Sequence, residues 1–106
     1  VWATWCGPCI AEIPSLKTLQ KDYKDKDIVF LSVSVDTDRD AWIKMLTEDD
    51  LGGVHLWADG WSEITKSYAI FGIPRFMLIG KDGSMISVDA PRPSSDEIRG
   101  MFNENI

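Results

Sequence analysis

Two cysteines separated by Gly-Pro, in the run Trp5-Cys6-Gly7-Pro8-Cys9, are the residues of this chain best suited to chemistry. Cysteines three apart in the first turn of a helix hold their Cβ atoms about 5–6 Å from one another. Small adjustments of that turn bring them into disulfide range, so the pair can open and close a bridge at little conformational cost. At a helix start, Cys6 meets unpaired N–H groups and the positive end of the helix dipole, which favour its thiolate. A helix terminus supplies about 0.3–2 kcal/mol and one pKa unit is worth about 1.4 kcal/mol. The dipole alone therefore lowers the Cys6 pKa by about one. Pro8 fits because an N–H at that position would have no intrahelical partner, and Cys9, one turn further in, is the shielded resolving thiol.

Three other uses of these cysteines compete. A structural disulfide closing a loop of about four residues stabilises by only about 2 kcal/mol on the chain-entropy formula, against about 3 kcal/mol for fifteen residues. It would be a poor staple. Structural zinc takes four ligands, whereas the chain holds two cysteines and one histidine in total. Two free buried cysteines would need neither Gly-Pro between them nor a tryptophan before them.

The rest of the chain must position this pair. With 106 residues and 44% hydrophobic content, the sequence matches one globular domain, residues 1–106, large enough for its own core. A net charge of -6 opposes binding to nucleic acid phosphates or anionic membrane surfaces. No apolar run approaches the roughly 20 residues that span a bilayer. The chain opens at Val1, straight into the apolar segment Val1-Trp2-Ala3-Thr4-Trp5, and so reads as N-terminally cropped. Any export signal, anchor or upstream domain would precede Val1, and membrane contact would run only through such an anchor.

The elements alternate. An opening strand over Val1–Trp5 leads into a helix from about Pro8 to Tyr23, with Ile10, Ile13, Leu16, Leu19 and Tyr23 on its core face. Pro14 inside it removes a hydrogen bond to Ile10 and should kink it, a break into two helices being the alternative. The run Ile28–Val35 is apolar and β-branched, as in a strand covered on both faces. A second helix follows near Arg39–Glu48, with Trp42, Met45 and Leu46 in one stripe, and Gly52-Gly53 ends it. A short strand near His55–Ala58 and a third helix from Ser62 to about Ala69, with Ile64 and Tyr68 inward, come next. Strands at Arg75–Ile79 and Met85–Val88 flank Lys81-Asp82-Gly83-Ser84, a hairpin signal. A final helix from Ser94 presents Ile98, Met101 and Phe102. The pattern implies an α/β domain with a mixed parallel and antiparallel sheet and helices on both faces.

Trp5-Cys6-Gly7-Pro8-Cys9 resembles the active-site motif of thioredoxins. The wider context Cys9-Ile10-Ala11-Glu12-Ile13-Pro14 is similar to the bacterial envelope branch related to TlpA and ResA, and the likeness runs on through Tyr68–Pro74 and the Lys81-Asp82-Gly83 hairpin. The resemblance implies a thioredoxin fold and a thiol–disulfide oxidoreductase that forms a mixed disulfide through Cys6 and needs no bound cofactor. It implies protein or peptide disulfides as substrates, an upstream thiol as electron donor, and a location in the cell envelope or periplasm, with the cytoplasm as the alternative. It assigns Ile73-Pro74 to a cis-proline loop facing the disulfide, where an extended substrate segment pairs with the Ile73 backbone like an added strand. A trans proline at the start of a strand is the bland reading. Trp5, Gly7 and Pro8 would share that docking surface.

Glu12 reads first as a solvated helix residue and second as a proton relay for Cys9. The buried acid of the thioredoxin branch would precede Val1. A different class of function, copper handling on the same fold, also suits soft thiolates, but Sco-type relatives use Cys-x-x-x-Cys and a distant histidine, so His55 would have to reach the pair. The peroxiredoxin pattern is absent. His55, in an apolar stretch, reads as structural, and Trp2, Trp42, Trp57 and Trp61 read as packing. Asp36-Thr37-Asp38-Arg39-Asp40 superficially resembles a calcium loop, but Ala41 stands where glycine is required and Thr47 at the twelfth position. No metal site is expected.

Overall fold

The computed structural model describes residues 1–49, 51–60, 63, 66 and 72–106. In chain order its elements are α1 (Gly7–Ala11), α2 (Ile13–Asp22), β1 (Leu31–Ser34), α3 (Arg39–Glu48), β2 (Val54–Trp57), β3 (Leu78–Ile79), β4 (Met85–Ser87) and α4 (Asp96–Asn105). Of the helix expected over Ser62–Ala69, Glu63 and Lys66 are described and helical, while Ile64 and Tyr68, like Trp61, lie outside the described residues.

There are two two-stranded ladders, and the first two residues run between β1 and the segment that leads to β3. β1 and β2 pair in parallel, with Leu31 opposite Val54 and Ser34 opposite Trp57. β3 and β4 pair antiparallel, with a register shift between Leu78 and Ile79. Trp2 N–H donates to Val33 O at 3.0 Å and Val35 N–H to Trp2 O at 2.9 Å, a parallel bridge. On the other side, Val1 and Arg75 exchange two bonds, N to O, of 2.8 and 3.2 Å, which is antiparallel geometry. The opening strand is thus shorter than expected. It ends at Ala3, because Thr4 and Trp5 form a turn closed by Cys6 N–H donating to Ala3 O at 3.2 Å.

Pro14 breaks the first helix rather than kinking it. α1 ends at Ala11 and α2 starts at Ile13, with Pro14 in its first turn, where a missing N–H costs nothing. The break rotates Ile10 away from the core: it is 38% exposed, contrary to the helical spacing, while Leu19 and Tyr23 are buried as expected. The Ile28–Val35 run also departs from expectation. Only Leu31–Ser34 is strand, and coverage is confined to its C-terminal end: Val33, Ser34 and Val35 are buried, whereas Val29 and Leu31 are exposed. α3 has the expected limits, capped by the Asp38 carboxylate, which accepts from Ala41 N–H at 3.1 Å.

Two cores result. One surrounds the motif and contains Trp2, Ala3, Cys6, Cys9, Val35 and Trp42; the other lies between α2 and α4 and contains Leu19, Tyr23, Ala90, Ile98 and Phe102. The hairpin turn is tied by Asp82, whose carboxylate accepts from Ser84 Oγ and Ser84 N–H at 2.6 and 3.0 Å; these bonds hold its pKa below the usual value.

Gly53 sets the entry to β2. Its φ is +89°, and an added Cβ would lie 2.6 Å from Phe30 O, the carbonyl that accepts from Val54 N–H to begin the ladder. Gly83 has φ +86° but open space around it. Both glycine-to-alanine changes incur the left-handed penalty of about 1–2 kcal/mol, and only Gly53→Ala adds a backbone clash. Urea denaturation should therefore show Gly53→Ala clearly less stable than Gly83→Ala; equal midpoints would contradict this packing.

Candidate active site

Cys6 is the N-cap of α1, in extended conformation (φ -92°, ψ 105°), with Gly7 and Pro8 as the first helical residues. Cys6 and Cys9 form a disulfide with their Cα atoms 5.2 Å apart. Cys9 N–H points at Cys6 Sγ, 3.2 Å away. In the reduced protein the same N–H is placed to donate to a Cys6 thiolate, and a hydrogen bond to an ionised acceptor is about twice as strong as a neutral one. Helix capping and thiolate stabilisation are therefore one interaction.

Both cysteines are buried in the disulfide state, Cys6 at 5% and Cys9 at 4% exposure, so Cys6 is less open than its expected role suggested. Around it the surface is open: Trp5 is 65% exposed and Gly7 and Pro8 are exposed. The Ile73–Pro74 peptide bond is cis, and Ile73 packs against the core cluster that holds both cysteines. Pro74 lines the same cavity as Cys9 and Glu12. The structure thus packs Ile73 with both cysteines and sets Cys9, Glu12 and Pro74 along one cavity.

Glu12 is not the solvated residue expected first. It sits at the α1–α2 break, 9% exposed, and its carboxylate accepts from Ser94 N–H at 3.0 Å and Ser94 Oγ at 2.8 Å. The break is the cause: it turns residue 12 inward, toward the segment before α4. Ser94 carried no signal in the sequence. Asp36 did carry one, as the acid that ends an apolar strand, but it reads as part of a polar connection. It is 1% exposed, and its carboxylate is occupied by Thr4 and Ser34 rather than facing a loop.

His55 does not serve the cysteines. Its Nε2 faces the carbonyls of Gly52 and Leu51 at 2.9 and 3.2 Å, so the histidine that copper handling requires is committed elsewhere. Trp42 and Trp57 stack with ring centroids 6.2 Å apart, as packing residues. No helix among the described residues is long and apolar enough to cross a membrane.

A family model, Redoxin, matches residues 1–102. The chain belongs to the Redoxin family. Its thioredoxin-like fold is shared with a solved Bacteroides vulgatus protein assigned as a thiol-disulfide oxidoreductase, at 43% identity and a TM-score of 0.89, covering 99% of this chain and 74% of that one. A thiol-disulfide oxidoreductase from Bacteroides fragilis matches at 31% identity and a TM-score of 0.85, covering 97% of this chain and 75% of that one. The thiol-disulfide oxidoreductase ResA of a Bacillus thuringiensis strain is 33% identical over 80% of this chain. The chain spans about half the length of that relative, 49%. This Redoxin-family chain therefore carries the Cys-x-x-Cys pair on a fold that its relatives share.

Proposed function

We propose that this protein is a thiol–disulfide oxidoreductase that reduces protein disulfides in the bacterial cell envelope. The observation that carries the reading is Cys9 N–H aimed at Cys6 Sγ at the mouth of α1, which favours a Cys6 thiolate once the bridge is open. That thiolate attacks one sulfur of a substrate disulfide, expelling the other as a thiolate and forming a mixed disulfide. Cys9 then attacks Cys6, releases the reduced substrate and restores the internal bridge. An upstream thiol donor reopens it. Gly-Pro between the cysteines resembles the reducing members of the thioredoxins, and the TlpA/ResA resemblance supports the envelope rather than the cytoplasm.

Substrate docks against exposed Trp5, Gly7 and Pro8, with an extended segment pairing along Ile73 beside cis-Pro74. Glu12 takes the Cys9 proton during resolution, its carboxylate aimed by Ser94.

Cys9→Ala tests the sequence of events: incubated with oxidised insulin, it should accumulate a covalent adduct that dithiothreitol dissolves, and failure to accumulate one would count against the mechanism. Proton transfer by a positioned group contributes about 10²–10⁴-fold. Glu12→Gln should therefore slow resolution of the mixed disulfide by at least about 10²-fold, and Ser94→Ala, which keeps the N–H bond, should slow it less. Equal resolution rates in stopped-flow would remove Glu12 from the relay.

A further inference from the structure

Asp36 is sealed beside the redox turn, 1% exposed, with no ion-pair partner among the described residues. Thr4 Oγ1 donates to its Oδ1 at 2.6 Å, Thr4 N–H lies 3.1 Å from both carboxylate oxygens, and Ser34 Oγ donates to Oδ2 at 2.5 Å. Its main chain is held as well, N–H donating to Ser34 Oγ at 3.0 Å and C=O accepting from Trp57 Nε1 at 2.6 Å. None of the ion pairs among the described residues includes it. A carboxylate in this setting is costly to bury, and among the described residues its compensation comes from hydrogen-bond donors. The same carboxylate grips Thr4, the residue that opens the Ala3–Cys6 turn.

Thr4 is two residues from Cys6, a span of at most about 7 Å. The charge therefore stands within roughly 10 Å of the Cys6 backbone, through protein interior where salt screens little. We propose that Asp36 is a positioning residue of the redox site, whose buried charge, clamped on Thr4, biases the Cys6–Cys9 couple toward the disulfide and so toward donating electrons. The proposal rests on the reading that the pair exchanges with substrate disulfides. In that exchange the dithiol gives up two electrons and two protons; the Cys6–Cys9 bond forms as the substrate S–S bond breaks. Negative charge beside Cys6 disfavours the thiolate of the reduced form, and whatever destabilises the reduced form makes the couple a stronger reductant.

The test is the equilibrium of the full chain with glutathione redox buffer at neutral pH. Asp36→Asn removes the charge at nearly constant shape and should shift the equilibrium toward the dithiol by threefold to tenfold, about 14–30 mV at 29.6 mV per tenfold change. Thr4→Val loosens the clamp but keeps the charge, and should not shift it that way. An unmoved or oppositely moved Asp36→Asn, or a Thr4→Val that moves as far as Asp36→Asn in the same direction, overturns the proposal. If Asp36→Asn does not fold, Ser34→Ala leaves the charge with one donor fewer and should shift the equilibrium toward the disulfide; no shift overturns the proposal. Failure of the reductase reading is distinct: it would show as wild-type protein unable to reduce insulin, whatever Asp36→Asn does to the couple.

Discussion

Cys6→Ala is expected to reduce insulin-disulfide reduction to the rate of the reductant alone. The reason is positional. Only Cys6 combines the helix N-cap, the Cys9 N–H directed at its sulfur and exposed neighbours at Trp5, Gly7 and Pro8. Cys9 lies within α1 rather than at its N-cap, so its sulfur lacks the N–H that is directed at Cys6 Sγ. Loss of the bridge costs about 2 kcal/mol of loop-closure stabilisation, a fraction of the roughly 5–15 kcal/mol typical of a domain, so the variant should still fold. An unchanged circular dichroism spectrum with lost turnover separates chemistry from folding. Turnover persisting in Cys6→Ala would refute the assignment.

Phe102→Ala should be strongly destabilising. Phe102 is 7% exposed and meets Tyr23 edge-on at 5.2 Å and Phe30 at 6.0 Å between ring centroids. It is the point where α4 closes on α2 and on the chain entering β1. Truncating a buried phenylalanine costs about 3–5 kcal/mol, enough to consume much of the stability of a domain of this size. Urea denaturation followed by tryptophan fluorescence should show the loss. A change under about 1 kcal/mol would mean that the α2–α4 core does not hold the fold as the structure has it.

The redox pair, its place at a helix start and the mixed α/β architecture were legible in the sequence, because each rests on local signals: Cys-Gly-Pro-Cys spacing, apolar periodicity in α3 and α4, and Asp82-Gly83 between two apolar runs. What depended on long-range contact was not. Glu12 looks like any helical surface acid until Pro14 is seen to break the helix and turn it toward Ser94, 82 residues away. The same break exposes Ile10. Asp36 reads as the start of a polar loop because nothing local says that Thr4 and Ser34 will close over it. Val29 and Leu31 have strand composition yet lie exposed, since burial depends on what packs over the sheet and not on the propensity of the strand.

Competition alkylation at neutral pH puts the central claim most directly to the test. In the reduced protein Cys6 should react with iodoacetamide several times faster than a cysteine in the urea-unfolded chain, with Cys9 the slower of the pair. A Cys6 that reacts no faster than the unfolded thiol would contradict a thiolate held at the mouth of α1, and with it the redox function.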